Sequence, residues 1–343
     1  MNNRFAFLSM RTANDLLGDP EQLRKQLDED GYLYFQQVLD RERVKDLRGE
    51  MVQALAQRGW VEEPRVPITG RCLVKPLRED DPEGLAGYDA IQRLELFHTF
   101  AHEPDLLGIM RQVLGESAFP HPLKVARLSF PDHYEASTPP HQDYPNNQGS
   151  PRLTASWIPA WDMTPEFGGL AVLRGSHRWG LLPLARHLGA GNRCAVVPTD
   201  MQEQCRWVTA DFRMGDVLLF PSMTVHASLH NASEFFMRLS VDYRYQLEGE
   251  ALTAGVLEPH FQRLSWEEIY SGWRSTEHQY YWRDLDYEVV PFEDFELVDH
   301  HVSDEFSQAQ MQEIYHYHER VDARTARRMA ALDLDLQEPG RKI

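Results

Sequence analysis

The sequence is poor in cysteine, has no long apolar run, and carries too few basic residues to balance its acids. Its three cysteines, Cys72, Cys194 and Cys205, stand far apart, which excludes a disulfide framework and a thiolate zinc site and fits a reducing compartment. They are expected to be ordinary buried thiols. No stretch approaches the roughly 18 consecutive apolar residues of a membrane span, and the opening MNNRFAFLSMRTANDL lacks the apolar core and small-residue cleavage site of a secretory signal. The expected location is the cytoplasm. With 35 lysines and arginines against 53 aspartates and glutamates, the net charge is −18. That field repels polyanions, and no basic cluster overrides it locally, so neither nucleic acid nor membrane is an expected partner. Internal repeats and low-complexity tracts are also absent.

What is present is an ordinary globular composition, 42% hydrophobic and 26% charged over 343 residues, enough for a substantial core. The N-terminal part reads as helical. Asp19-Pro20 is a cap followed by a first-turn proline, Leu23 and Leu27 share a face, and Gly31 is a stop. A short strand, YLYFQQV, follows, and then Asp40 caps a helix with Val44, Leu47, Met51 and Leu55 at helical spacing. Residues 61 to 88, rich in proline, glycine and mixed charge, read as loop. A further helix around Pro104 to Leu114 turns Leu106, Leu107, Met110 and Val113 inward.

From residue 122 the texture changes to short β-like runs separated by turns: PLKVARLSF, LTASWIPAW, GLAVL, CRWVTADF, DVLLF and FMRLSVDYRY. Gly168-Gly169 and Gly175-Ser176 punctuate them. No helix alternates regularly with these runs, which points to an antiparallel sandwich or barrel in a mixed α+β chain. The organisation expected is a single catalytic domain over 1–343, with a helical part (1–120), a β core carrying the site (121–248) and a C-terminal extension (249–343). In that extension an aromatic stretch, Trp266 to Tyr287, reads either as a cover for the site's mouth or as packing onto the barrel. A helix from Ser303 to about Leu332 reads as a solvated face or a dimer contact, so monomer and homodimer both stand.

The first candidate for chemistry is His141-Gln142-Asp143. On a strand, residues i and i+2 point to one face, so His141 and Asp143 present an imidazole nitrogen and a carboxylate oxygen to one ion. His316 and His318 have the same spacing, but their segment has helical periodicity, which puts them on opposite sides of an axis. His133 and Glu135 form another rival pair, without a third ligand. Residues 216 to 245 supply that third group, His226, with His230 as an alternative, and then Arg238 twelve residues past His226. Two histidines and one carboxylate on one face of iron leave open positions, which a bidentate cosubstrate and dioxygen would fill. The charges also balance: Fe(II), one aspartate, a 2-oxoglutarate dianion and one arginine sum to zero, with Arg238 gripping the far carboxylate by a two-pronged hydrogen bond.

The combination of His141-x-Asp143, the stretch SWIPAWDMTPEFGGLAVLRGSH, His226 and Arg238, with GYLYFQQVLDRERV upstream, resembles the phytanoyl-CoA dioxygenase family of Fe(II)/2-oxoglutarate oxygenases over about residues 24 to 245. The resemblance implies a double-stranded β-helix, or jelly roll. It implies His141, Asp143 and His226 as iron ligands, Arg238 as the cosubstrate clamp, Trp157 in the cosubstrate pocket, and Ser228 and Ser240 flanking ligand and clamp. The implied reaction consumes 2-oxoglutarate and dioxygen, releases succinate and carbon dioxide, and hydroxylates a small organic molecule. Halogenases of the superfamily carry a small residue in place of the metal-binding carboxylate; Asp143 is intact, which disfavours halogenation. Lys75, Arg93 and Lys124 read as solvated surface charges ahead of the alternative, a second positive group at the cosubstrate or substrate, and His177 as a turn residue. Two other readings remain beside this one: a zinc hydrolase on the same three ligands, which leaves Arg238 unexplained, and a non-catalytic jelly-roll binding protein.

Overall fold

The computed structural model describes residues 7–62, 71–74, 82–131, 138–163, 167–186, 193–233 and 235–298. Lys75, the pair His133 and Glu135, the pair His316 and His318, and the helix expected from Ser303 lie outside the described residues.

The helical layer follows its capping chemistry. The Asp19 side chain accepts a hydrogen bond from the backbone of Gln22 at the start of helix Pro20–Asp30, and Gly31, at φ 72°, ends it in the left-handed conformation. Asp40 caps Arg41–Gln57, which buries Val44, Leu47, Met51 and Leu55. Helix Pro104–Leu114 buries Leu106, Met110 and Val113, while Leu107 is only partly buried. One expectation fails: helix Pro82–Gln92 begins inside the stretch read as loop. Its glycines suggested a loop, but Gly87 lies where a β-carbon would come within 2.6 Å of the Trp60 ring, so the glycine is a packing requirement of helix against indole. Proline at the helix start loses no intrahelical bond.

The β core consists of two sheets. One runs in the order Leu33–Phe35, Val217–Pro221, Thr154–Pro159, Arg238–Leu247, with Ala118–Pro120 and Val125–Ser129 both pairing along the last. The other has the order Leu8–Ser9, Arg206–Thr209, Leu170–Arg174, His226–Ser228. All pairings but the Leu8–Ser9 edge are antiparallel within these two sheets. Each of the six β-like runs read from the sequence contains a strand. The helices cover the outer face of the first sheet in one apolar cluster that includes Leu23, Leu47, Phe97, Met110, Val241 and Tyr243. A second cluster, including Tyr34, Trp157, Val172, Val208, Phe212 and Phe220, fills the space between the two sheets.

The long strand Arg238–Leu247 positions the site. Leu239, Val241, Tyr243 and Tyr245 turn toward the helices, where the Tyr243 and Tyr245 hydroxyls donate to the carbonyls of Phe97 and Ala101 at 2.9 and 2.7 Å. The alternate residues, Arg238, Ser240, Asp242, Arg244 and Gln246, are polar and all buried. By the two-residue period they face the interior between the sheets. A buried polar row requires partners or a ligand.

Gly168 holds a turn at the site's edge, with φ 62° and a would-be β-carbon 2.4 Å from the His230 carbonyl oxygen. Gly168→Ala is expected to lower the unfolding free energy by about 2 kcal/mol or more, read from the denaturant midpoint, whereas Gly180→Ala, with nothing within 4 Å of its β-carbon position, should show only the backbone penalty.

Candidate metal and cosubstrate site

His141, Asp143 and His226 converge: each offers a ligand atom within 4.8 Å of those of the other two, and among the described residues no other group of three does so. The sequence argument placed His141 and Asp143 on a strand, and the structure corrects that. His141 makes one isolated bridge, exchanging backbone hydrogen bonds with His226 at 2.9 and 3.0 Å. Asp143 follows on a bend, its carbonyl accepting from the amides of Asn146 and Asn147. Pro139 and Pro140 limit regular pairing, so the two side chains meet through a bend instead of a pleat. The bridge sets the two histidine rings 4.1 Å apart between centroids.

The hydrogen bonds of the rings fix which nitrogen faces the centre. His141 Nδ1 lies 2.8 Å from the Pro139 carbonyl and His226 Nδ1 lies 3.0 Å from that of Thr224. Each Nδ1–H donates to a carbonyl, which leaves the Nε2 lone pairs free to bind a cation. Burial, with His226 alongside, pushes His141 down to about 3, and burial lowers His226 as well, so both are neutral and competent as ligands at ordinary pH.

Sequence reasoning missed Arg244. Its Nε and Nη2 donate to Oδ2 and Oδ1 of Asp143 at 3.2 and 3.0 Å, and the two side chains are 4% and 5% exposed. Burial alone would raise Asp143, but Arg244 and the two histidines hold its carboxyl well below the usual range. The available signal was the alternation R-L-S-V-D-Y-R-Y-Q, whose polar members recur every second residue on a strand that is otherwise apolar. Arg127 also escaped notice. It stands opposite Ser240 in register, and its Nε donates to Asp242 Oδ2 at 2.7 Å.

Arg238 is buried where the sequence placed it, at the start of the long strand, with Nη1 donating to the Gly169 carbonyl at 2.9 Å and Nη2 to Ser228 Oγ at 2.6 Å. Its Nε and the Ser240 hydroxyl are buried without a hydrogen-bond partner among the described residues. Trp157 lies across from Asp242 in register, on the inward face, and packs edge-on to Phe212. His230 is buried but does not join the group of three.

Other expectations are settled by location. Lys124 is not a solvated surface charge: it is 1% exposed, and its ammonium donates to the His121 carbonyl and the Tyr281 hydroxyl on the helical side of the sheet. Its four-carbon stem lets a lysine fill a gap between layers. Arg93 pairs with Glu268 in solvent. His177 bonds the carbonyl of Asp28 at the end of the first helix. The aromatic stretch is a satellite core of Trp266, Tyr270 and Trp282, with Trp266 and Trp273 against His98 and Tyr281 against His102. It packs on the helical layer and, through Tyr281 and Tyr287, on the sheet strand Ala118–Pro120.

Three histidines away from the triad are held neutral by burial: His98 and His260 are pushed down to about 3 and His121 to about 4. Each has a lower value folded than the ordinary 6.5, so the unfolded chain takes up protons first as the solution is acidified. Stability is accordingly expected to fall from pH 6.5 toward pH 4, each group adding up to about 1.4 kcal/mol per pH unit. Urea midpoints across that window check this; a flat profile would mean that these rings already carry protons in the fold.

A profile of the phytanoyl-CoA dioxygenase family matches residues 27–240. The 1-deoxypentalenic acid 11-beta-hydroxylase of Streptomyces arenae is 31% identical over 242 residues, covering 67% of this chain and 82% of the hydroxylase. The ectoine dioxygenase of Nocardia farcinica is 24% identical over 227 residues, 61% of this chain and 72% of that enzyme. Among solved structures, the epimerase SnoN in complex with Fe3+, alpha ketoglutarate and nogalamycin RO aligns with TM-score 0.48 and 21% identity over 68% of this chain and 86% of its own. No described helix is long and apolar enough to cross a membrane.

Proposed function

The chain belongs to the phytanoyl-CoA dioxygenase family, and from that membership we propose that it is an Fe(II)/2-oxoglutarate-dependent oxygenase that hydroxylates a small organic molecule, using His141, Asp143 and His226 to hold the metal. The observation that carries the residue assignment is the pair of Nδ1–H donors bound to carbonyls, which aims two neutral Nε2 atoms and the Asp143 carboxylate at one point. This facial set of two imidazoles and one carboxylate suits ferrous iron and leaves positions for other ligands. The β core is read as a jelly roll, and the region 27–240 as the part that carries the chemistry.

Iron bound there, with 2-oxoglutarate and dioxygen, supplies the oxidising power for C–H hydroxylation. The protein's share is placement. Ser228 lies two residues past His226 on the same strand face, about 7 Å along it, a span that matches 2-oxoglutarate between its keto-acid end and its far carboxylate. Arg238 is held by Ser228 and the Gly169 carbonyl, and its Nε and the hydroxyl of Ser240, two residues on along the same strand face, have no partner among the described residues. Those orphaned groups fit a carboxylate. The inward Trp157 and Phe220 keep water from the space between metal and clamp.

The compounds for which those relatives are named, 1-deoxypentalenic acid and ectoine, are small molecules, and a substrate of that size class is proposed here. The test is succinate formation and dioxygen uptake with Fe(II) and 2-oxoglutarate, beside zinc-loaded protein. Activity with iron alone is expected; hydrolytic activity with zinc and no dioxygen uptake would favour the zinc reading. Arg238→Ala is expected to raise the 2-oxoglutarate constant by about tenfold to hundredfold, measured by calorimetry with Mn(II) in place of iron. An unchanged constant places the clamp elsewhere.

A further inference from the structure

Resting on the iron and 2-oxoglutarate reading, we infer that the substrate carries a carboxylate and that Arg127 is the residue that receives it. The charge inventory of the interior leads there. The inward faces of the long strand and its neighbour Val125–Ser129 carry three arginines, Arg127, Arg238 and Arg244, and one aspartate, Asp242, with Asp143 opposite. Against three positive groups stand two negative ones. A ferrous ion and a 2-oxoglutarate dianion cancel, so the loaded site retains one positive charge in the interior of a chain whose net charge is −18. An uncompensated buried charge is costly unless a ligand neutralises it.

Of the three arginines, only Arg127 is placed to meet a ligand from outside. Arg244 is 4% exposed and committed through two nitrogens to Asp143. Arg238 is 5% exposed and committed to Ser228 and Gly169. The Arg127 side chain is 26% exposed although its register points it inward, so it borders open space between the sheets. Its Nε is anchored on Asp242, which fixes the plane of the guanidinium, and the Nη edge makes no hydrogen bond to a described residue. Its anchor Asp242 stands two residues from Arg244 on the same face of the long strand, and Arg244 grips Asp143, so a molecule held on that edge lies beside the triad. At the triad the His141 side chain is 13% exposed, against 5% for Asp143. A planar two-donor edge on a fixed guanidinium is the recognition element for a carboxylate.

The experiment begins with 2-oxoglutarate binding to Mn(II)-loaded wild type by calorimetry; no binding there overturns the iron reading and this inference with it. A library of small carboxylic acids, each beside its methyl ester, is then screened for stimulated succinate release from the iron enzyme, and acid hits are titrated into the Mn(II)/2-oxoglutarate protein. Acids are expected to stimulate and bind while their esters do not. In R127Q the acid concentration for half-maximal effect should rise about tenfold to hundredfold, and less in R127K. Because R127Q leaves Asp242 unpaired, R127Q/D242N, which removes both charges, is run beside it and should show the same loss. Esters acting as well as acids, a library without an acid hit, or an R127Q whose 2-oxoglutarate constant rises while acid binding is kept would each overturn the assignment.

Discussion

Asp143→Ala is expected to lower 2-oxoglutarate-dependent succinate release by about a thousandfold or more. Asp143 is the only anionic donor in the group of three; without it, two neutral imidazoles on one side bind a divalent ion weakly, and the ion's charge meets the facing guanidinium of Arg244 without a screen. Folding suffers too, because Arg244, 4% exposed, is left as an unpaired buried charge. The two effects separate in a melting experiment. Saturating Mn(II) stabilises any fold that binds it, by about 2.7 kcal/mol at a hundred times the dissociation constant. Wild type should gain accordingly, and Asp143→Ala should not, even where its own melt remains cooperative. Asp143→Asn keeps the shape and one acceptor oxygen for Arg244, so it should recover part of the stability without recovering turnover. Equal turnover in wild type and Asp143→Ala would remove the residue from its role.

Much of this arrangement was legible in the residues. The caps at Asp19 and Asp40 and the left-handed stop at Gly31 are local chemistry, and local chemistry survives folding. The six β-like runs were legible because each alternates or is continuously apolar over four or more residues. His141, Asp143 and His226 were singled out by type and spacing, yet their meeting depends on a backbone bridge between residues 85 positions apart, His141 with His226, which no periodicity announces. The strand geometry assumed for His141 and Asp143 was wrong because two prolines precede them, and the bend that replaces the strand still brings them together. Helix Pro82–Gln92 was hidden by Gly87, whose lack of a β-carbon answers to Trp60, a contact distant in sequence. Lys124 was misplaced for a like reason: a lysine is expected in water, and only the packing of the Tyr281 segment against the sheet makes it interior. The charge balance drawn from Asp143 and Arg238 closed at zero because Arg127, Asp242 and Arg244 did not enter it. Register, once known, turns all three inward.

Arg244 is the group whose removal should reveal how the site divides its charge between protein and metal. In Arg244→Met the Asp143 carboxylate keeps its burial and loses both guanidinium bonds, and breaking a buried pair from one side costs about 3–5 kcal/mol. Asp143 should then titrate at higher pH, since burial is the influence that raises it and Arg244 the foremost one that lowers it. The folded value thus moves up toward or beyond the unfolded one, and the stability that Asp143 contributes above pH 4 in wild type shrinks or changes sign. A divalent ion supplies the counter-charge that the arginine gave. Mn(II) is therefore expected to restore more stability to Arg244→Met than it adds to wild type at equal saturation, and the loss in the double variant Arg244→Met/Asp143→Asn should be smaller than the sum of the single losses. Arg244→Lys, which keeps a charge but not the two-pronged geometry, should fold nearly as well as wild type yet show weakened metal binding, because a point charge does not fix the plane of the carboxylate. Additive single losses, or an Mn(II) effect equal in Arg244→Met and wild type, would show that the guanidinium fills space beside Asp143 without orienting it.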